Sequence, residues 1–328
     1  MGSPSVLFVG GTGKISSACV TRALEAGYDV YVLNRGQTTL RPLPAAATSL
    51  CADVRDPEAT KTALKGMEFD SVVDFTIREP AQVGTDIGIF AGRTGQFIFI
   101  SSASAYQKPV ARLPITESTP LSNPFWEYSR KKIACEDAFM AAYRDKGFPV
   151  TIVRPSHTYD RTGLPFDGGW TVVDRMRRGK PVIVHGDGTS LWALTHHDDF
   201  ARAFTRLLAN PSTIGDSFHI TTDELLSWDQ IHHQVARAAG VEATLVHVAS
   251  ETIAKVIPEW GPPILGDKAH SVIFDNSKIR RVAPGWSALI PYSEGARQTI
   301  EWMDQHPERQ VADPKVDAAF DLLAEKYS

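Results

Sequence analysis

Short apolar runs of strand length alternate with amphipathic stretches through the first half of the chain. The runs fall at residues 5–9, 29–33, 48–51, 71–75, 96–100 and 150–153, most of them apolar throughout rather than alternating with polar residues. A strand covered on both faces reads this way. Between them, residues 17–26 and 57–64 carry apolar positions at helical spacing, which predicts crossover helices. The alternation predicts an α/β fold of the Rossmann type, a doubly wound parallel sheet. The second half is less regular, with Pro-, Gly- and Trp-rich loops at 160–170, 186–192 and 258–266. Helices are expected there at 200–208, 228–239 and 294–306, and a strand at 217–220. The pattern predicts a cofactor domain over residues 1–165, with 195–222 returning to it. Residues 166–194 and 223–328 are expected to form a smaller C-terminal substrate lobe, with no linker or repeat marking the junction.

With 328 residues, 43% hydrophobic and 22% charged, the chain has material for a large core. Cys19, Cys51 and Cys135 are too scattered for a disulfide framework or a metal-ligand motif, which fits a reducing, cytoplasmic setting. No charged-then-apolar leader opens the sequence and no long apolar run follows, so no membrane association is expected. A formal net charge of −4 and a pI near 6.2 offer no long-range attraction to a polyanion, which disfavours nucleic acid as a partner. His196 and His197 are adjacent, and neighbours are not expected to converge on one ligand, so no metal is expected.

The chemistry begins at Val9-Gly10-Gly11-Thr12-Gly13-Lys14-Ile15-Ser16, directly after the first strand and at the opening of the first helix. Unpaired amides and the positive end of the helix dipole suit a pyrophosphate there, provided glycines let the backbone approach. Ser16 stands where the usual spacing has a third glycine. The second strand ends Leu33-Asn34-Arg35-Gly36, without the carboxylate that reads an NAD ribose. A guanidinium at Arg35 matches a 2′-phosphate, which favours NADP over NAD. The competing reading makes Arg35 a solvated loop residue and gives the ribose to Asn34. Asp53 and Val54, after the third strand, are placed to receive the adenine.

Tyr128-Ser129-Arg130-Lys131-Lys132 puts a phenol and an ammonium four residues apart on one helix face. An adjacent ammonium favours the phenolate, so Lys132 is expected to lower the pKa of Tyr128. Upstream, Ser101-Ser102-Ala103-Ser104-Ala105-Tyr106 closes an apolar strand with hydroxyls. Together with Arg154-Pro155-Ser156-His157-Thr158-Tyr159, Gly186-Asp187-Gly188-Thr189 and His196-His197-Asp198-Asp199, these motifs resemble, in order, the extended short-chain dehydrogenase/reductases. Within that group the chain is similar to the branch near chloroplast stem-loop RNA-binding proteins.

The resemblance implies Tyr128 as general acid/base, Lys132 on the nicotinamide ribose and Ser102 on the reacting oxygen, with Ser101 the alternative serine. It places Phe75, Thr76, Ser101, Pro155 and His157 at the cofactor, beside Tyr128 and Lys132. Ser104, His157 and Trp192 are placed at the substrate with Ser102 and Tyr128. It also raises a homodimer.

Departures narrow the chemistry. Ala103 and Ser104 replace the Asp-Glu pair with which dehydratases expel water. Trp192 replaces an arginine that binds nucleotide diphosphates, another is missing before Gly266-Asp267, and His157 and Asp160 replace the usual Asn and Gly. Trp192 and the histidines at 157, 196 and 197 suit a pocket for a sugar face or a small ketone. They also suit a core tryptophan and a cap on the helix after Asp199. The function expected is an NAD(P)-dependent oxidoreductase or epimerase acting by hydride transfer on a sugar-like hydroxyl or keto carbon. The alternatives are an NADPH-dependent reductase of a non-sugar ketone and a non-catalytic nucleotide- or RNA-binding relative.

Overall fold

A computed structural model describes residues 2–37 and 40–327. Strands β1 (Ser5–Val9), β2 (Asp29–Asn34), β3 (Thr48–Cys51), β4 (Ser71–Asp74), β5 (Phe97–Ile100) and β6 (Val150–Pro155) are joined by the strand Ser217–Ile220 in one parallel seven-stranded sheet. From one edge the order is β3, β2, β1, β4, β5, β6 and Ser217–Ile220. The order reverses between β1 and β4, and the strands' carboxyl ends open a crevice there.

Helix α1 (Ser16–Glu25) connects β1 to β2, α2 (Pro57–Ala63) follows β3, α3 (Pro80–Phe90) follows β4 and α4 (Glu127–Lys146) precedes β6. After these come α5 (Trp170–Arg177), α6 (His197–Phe204) and α7 (Trp228–Ala238). On one face Ala18, Val20, Phe200 and Phe204 pack against Val6, Phe8 and Val32. On the other, Val83, Ile89 and Phe139 pack against Leu7, Phe97 and Phe99. Burial on both faces explains the absence of apolar–polar alternation in the central strands.

Beyond the sheet, Val182–His185 pairs in parallel with Leu245–Val248, and a third core gathers Trp192, Trp228, Tyr159 and Tyr292. Several elements depart from the sequence expectations. The strand expected over 71–75 stops at Asp74, leaving Phe75 free to face the crevice. The helix expected at 200–208 begins at His197, where His196 caps it, and ends at Phe204. Helices α3, α5 and Pro314–Tyr327 were not expected. In α3 two glycines and a buried Asp86 blur the helical spacing of the apolar residues.

Candidate active site

The glycine loop is built for close approach. Gly10 has φ of +79°, and a Cβ there would lie 2.6 Å from Thr76 Cγ2. Gly11 faces neither cavity; its missing side chain lets α1 seat on β2, since a Cβ would lie 2.8 Å from Val32 Cγ1. Ser16, in place of a third glycine, ties the loop to itself. Its hydroxyl accepts from the Gly13 amide at 2.8 Å and donates to the Gly10 carbonyl at 2.7 Å. The Lys14 and Ile15 amides have no acceptor among the described residues, so they remain for an anion at the start of α1.

Two cavities meet at this loop. One, of about 560 Å³, is lined by Thr12, Asn34, Arg35, Asp53, Val54 and Arg55 among others. The other, of about 550 Å³, takes in Gly13, Lys14, Ile15, Pro155 and the Ser/Tyr/Lys constellation. Gly10, Phe75, Thr76 and Arg78 line both and form the neck between them. An extended dinucleotide fits this division, with its adenosine half in the first cavity and its nicotinamide half in the second.

Around the adenosine half, Arg35 lies 4.0 Å from Asp53, so the fold supplies a carboxylate that the strand end lacks. Asn34 spends its Oδ1 on the Gly36 amide at 2.8 Å, which leaves Arg35 the freer of the two. Arg55, missed in the sequence, donates to the Thr76 carbonyl at 2.7 Å. Asp74 accepts from the Thr76 amide and shapes the neck.

At the inner end, Tyr128, Lys132, Ser101, Ser102 and Ser104 come together. Lys132 is buried, and its Nζ donates to the Ile77 carbonyl at 2.6 Å and the Ile100 carbonyl at 2.8 Å, leaving one N–H. Burial lowers its pKa to about 8. Burial raises the Tyr128 pKa, while the Ser102 hydroxyl and then the Arg78 guanidinium pull it down. Lys132 lies 5.8 Å from the ring centroid, over its face, and is turned toward the carbonyls. Arg78 has no side-chain ion pair or hydrogen bond among the described residues, and its guanidinium favours the phenolate.

The two serines separate clearly. Ser101 is buried and donates to Glu136 at 2.5 Å, within a network that includes Arg154. Ser102 lies at the cavity wall. Ser129 donates to Ser104 at 2.8 Å, the Ser104 and Ser102 hydroxyls are 2.9 Å apart, and the Ser104 amide donates to Ser102 at 3.2 Å. That chain directs the remaining Ser102 proton outward.

The glycine loop, the paired cavities and this constellation accompany a family match over residues 6–221. The chain belongs to the NAD-dependent epimerase/dehydratase family. The family binds nicotinamide cofactors. A 2′-dehydrokanamycin reductase from Streptomyces kanamyceticus is 28% identical over 86% of this chain and 79% of its own length. A chloroplast stem-loop binding protein from Arabidopsis thaliana is 26% identical over 74% of this chain and 65% of its own. An epimerase from Methanothermobacter thermautotrophicus superposes with a TM-score of 0.76 at 15% identity, covering 94% of each chain. The UDP-glucose 4-epimerase of Bifidobacterium longum, solved with NAD+ and UDP, gives 0.72 at 20% identity, covering 93% of this chain and 99% of its own.

Where the sequence departs from this family's pattern, the structure gives reasons. Trp192 is buried against Trp228 and still lines the cavity, so it is both core and wall. Its indole N–H donates to His157 Nδ1 at 3.4 Å. His157 therefore presents Nε2, and burial, reinforced by Lys268 and Lys14, lowers its pKa to about 3. Asp160 pairs with Arg41 at 2.5 Å, a bond glycine could not make.

His196 and His197 correct another expectation. With Asp198, their ligand atoms lie within 4.8 Å of one another, because the chain turns there from strand into α6. The ring atoms have local partners: His196 Nδ1 accepts from the Asp198 amide at 3.3 Å, and His197 Nδ1 lies 3.0 Å from the Lys14 carbonyl. Trp126, Asp267, Lys268 and Phe274 also line the inner cavity and were not foreseen as site residues. No described helix is long and apolar enough to cross a membrane.

Proposed function

We propose that this chain is an oxidoreductase that interconverts a secondary alcohol and a ketone on a sugar-like ring not carried by a nucleotide diphosphate, using NADP(H) in preference to NAD(H). The observation that carries the reading is the inner cavity itself. Tyr128, Ser102 and Lys132 meet at its inner end, while another part of its wall has Trp192 and a neutral His157 where diphosphate-binding groups would stand. Arg35 supports the cofactor preference.

A bound nicotinamide supplies or accepts the hydride. The phenol of Tyr128 gives its proton to the carbonyl oxygen in the reducing direction and recovers it in the other. Burial keeps that proton on the phenol, which suits reduction. Ser102 donates to the same oxygen as charge develops on it. Lys132, fixed by two carbonyls, offers its last N–H to the cofactor ribose. Ala103 and Ser104 supply no acid to expel a leaving group, which sets the chain apart from the dehydratases. The relative named as a reductase supports the direction. The stem-loop binding relative raises a nucleic-acid reading, against which the net charge of −4 weighs.

The test is a screen of keto-sugars and unphosphorylated cyclic ketones with NADPH or NADH, followed by absorbance. Stoichiometric consumption of NADPH with a non-nucleotide ketone is expected, with no turnover of UDP-glucose or UDP-galactose. Conversion of a UDP-hexose without net cofactor consumption would overturn the reading in favour of an epimerase.

A further inference from the structure

The mechanism leaves unused a buried ion pair beside the substrate half of the cavity. The Lys108 side chain is 0% exposed, and its Nζ has no hydrogen-bond acceptor among the described residues. The Asp267 carboxylate lies 3.5 Å from it, lines the cavity and is 20% exposed. A buried ammonium without hydrogen bonds is costly unless an anion stays beside it.

Asp267 is held firmly. It sits on a π-helical turn, Ile264–Lys268, a widened turn common at functional sites. Asn123, itself buried, donates to the Gly266 carbonyl at 2.7 Å and to the Ser104 carbonyl at 3.0 Å, and accepts from the Trp126 amide at 3.1 Å. A Cβ at Gly266 would lie 2.7 Å from Trp126 Cβ, so the two loops touch without room between them. The carboxylate is thereby fixed relative to the strand end of Ser102 and the helix of Tyr128. The neighbouring Lys268 is drawn away, its ammonium 2.6 and 2.7 Å from the Asp167 oxygens.

We propose that Asp267, paired with the buried Lys108, is the substrate-recognition group of this cavity, selecting a ring that presents hydroxyl or amino donors and rejecting one that presents phosphate or carboxylate there. One carboxylate oxygen faces Lys108, and the other is available to accept from a donor on the substrate. Burial raises the Asp267 carboxyl overall, against the pull of Lys108, which acts most strongly, and of Lys268 and His270. Tyr128 feels the same charge, which raises its pKa. The proposal rests on the oxidoreductase reading and adds the class of substrate.

The experiment uses NADP-saturated protein and three probes, D-glucosamine, methyl α-D-glucoside and D-glucose 6-phosphate, followed by saturation-transfer NMR titration. Wild type is expected to bind the first two in preference to the phosphate. Asp267→Asn is expected to weaken glucosamine about 10- to 100-fold, the worth of one charge-assisted contact, and to admit the phosphate. Lys108→Met, which replaces an unbonded buried cation by an apolar chain of similar length, is expected to move the pH midpoint of methyl glucoside binding upward. Absence of glucosamine binding, equal binding of the phosphate by wild type, or an unchanged preference in Asp267→Asn overturns the assignment. Cofactor affinity and Tyr128-dependent turnover are measured on the same preparations. Their failure would count against the oxidoreductase reading, whereas their survival confines the fault to Asp267.

Discussion

Replacing Lys132 with methionine removes a buried ammonium that donates at 2.6 and 2.8 Å to two carbonyls. Burial lowers the lysine from its ordinary 10.5 to about 8. That gap corresponds to about 3 kcal/mol of folding free energy lost in keeping the charge at neutral pH. Methionine relieves this but orphans the Ile77 and Ile100 carbonyls, at about 1–3 kcal/mol each. The opposing effects should leave the apo-protein within about 2 kcal/mol of wild type at pH 7. The pH dependence is more telling. Between about pH 8 and 10.5 the folded lysine has released its proton while the unfolded lysine still holds it. The unfolded state binds more protons in that window, so this group makes wild type more stable as pH rises, and Lys132→Met lacks that rise. Urea unfolding of both apo-proteins from pH 7 to 10 measures the difference, which should change by up to about 3 kcal/mol. Cofactor titration should show weaker binding by the variant. Parallel stability curves together with unchanged cofactor affinity would refute the reasoning.

Arg35→Asp should weaken NADP binding by about 1.5–3 kcal/mol and leave NAD less affected, as read by calorimetry; equal losses would mean that Arg35 does not distinguish the two. Burial pushes Asp86 up to about 9, with Asp74 adding to the effect. Its folded form therefore keeps a proton that an unfolded carboxyl releases near pH 4, and this group costs stability progressively as pH rises from there to about 9. Asp86→Asn should accordingly gain melting temperature relative to wild type more at pH 9 than at pH 5. A pH-independent difference would show that the carboxyl is ionised at both.

Most of the central sheet was legible because its strands are buried on both faces and so form short apolar runs. The glycine loop and the Tyr128/Lys132 pair were legible because their geometry is local, set by a turn and by helical spacing. What sequence could not show depends on packing across the fold. Arg78 follows β4 without any motif, yet it reaches the neck of both cavities. Asp267 is close to Lys108 only because distant loops meet at Asn123. The sequence favoured Ser102 over Ser101 for the reacting oxygen; what it could not show is that Ser101, though it also lines the cavity, donates to Glu136. The partners of Lys132 were hidden for the same reason: spacing placed it beside the phenol, and two backbone carbonyls from other segments hold its ammonium.

The central claim is proton transfer by Tyr128 in NADP(H)-linked carbonyl reduction, and single-turnover kinetics of Tyr128→Phe test it most directly. On whichever ketone the screen yields, the variant should bind NADPH as wild type does but oxidise it about 10²- to 10⁴-fold more slowly. Full single-turnover activity in Tyr128→Phe would contradict the mechanism, whatever the fold.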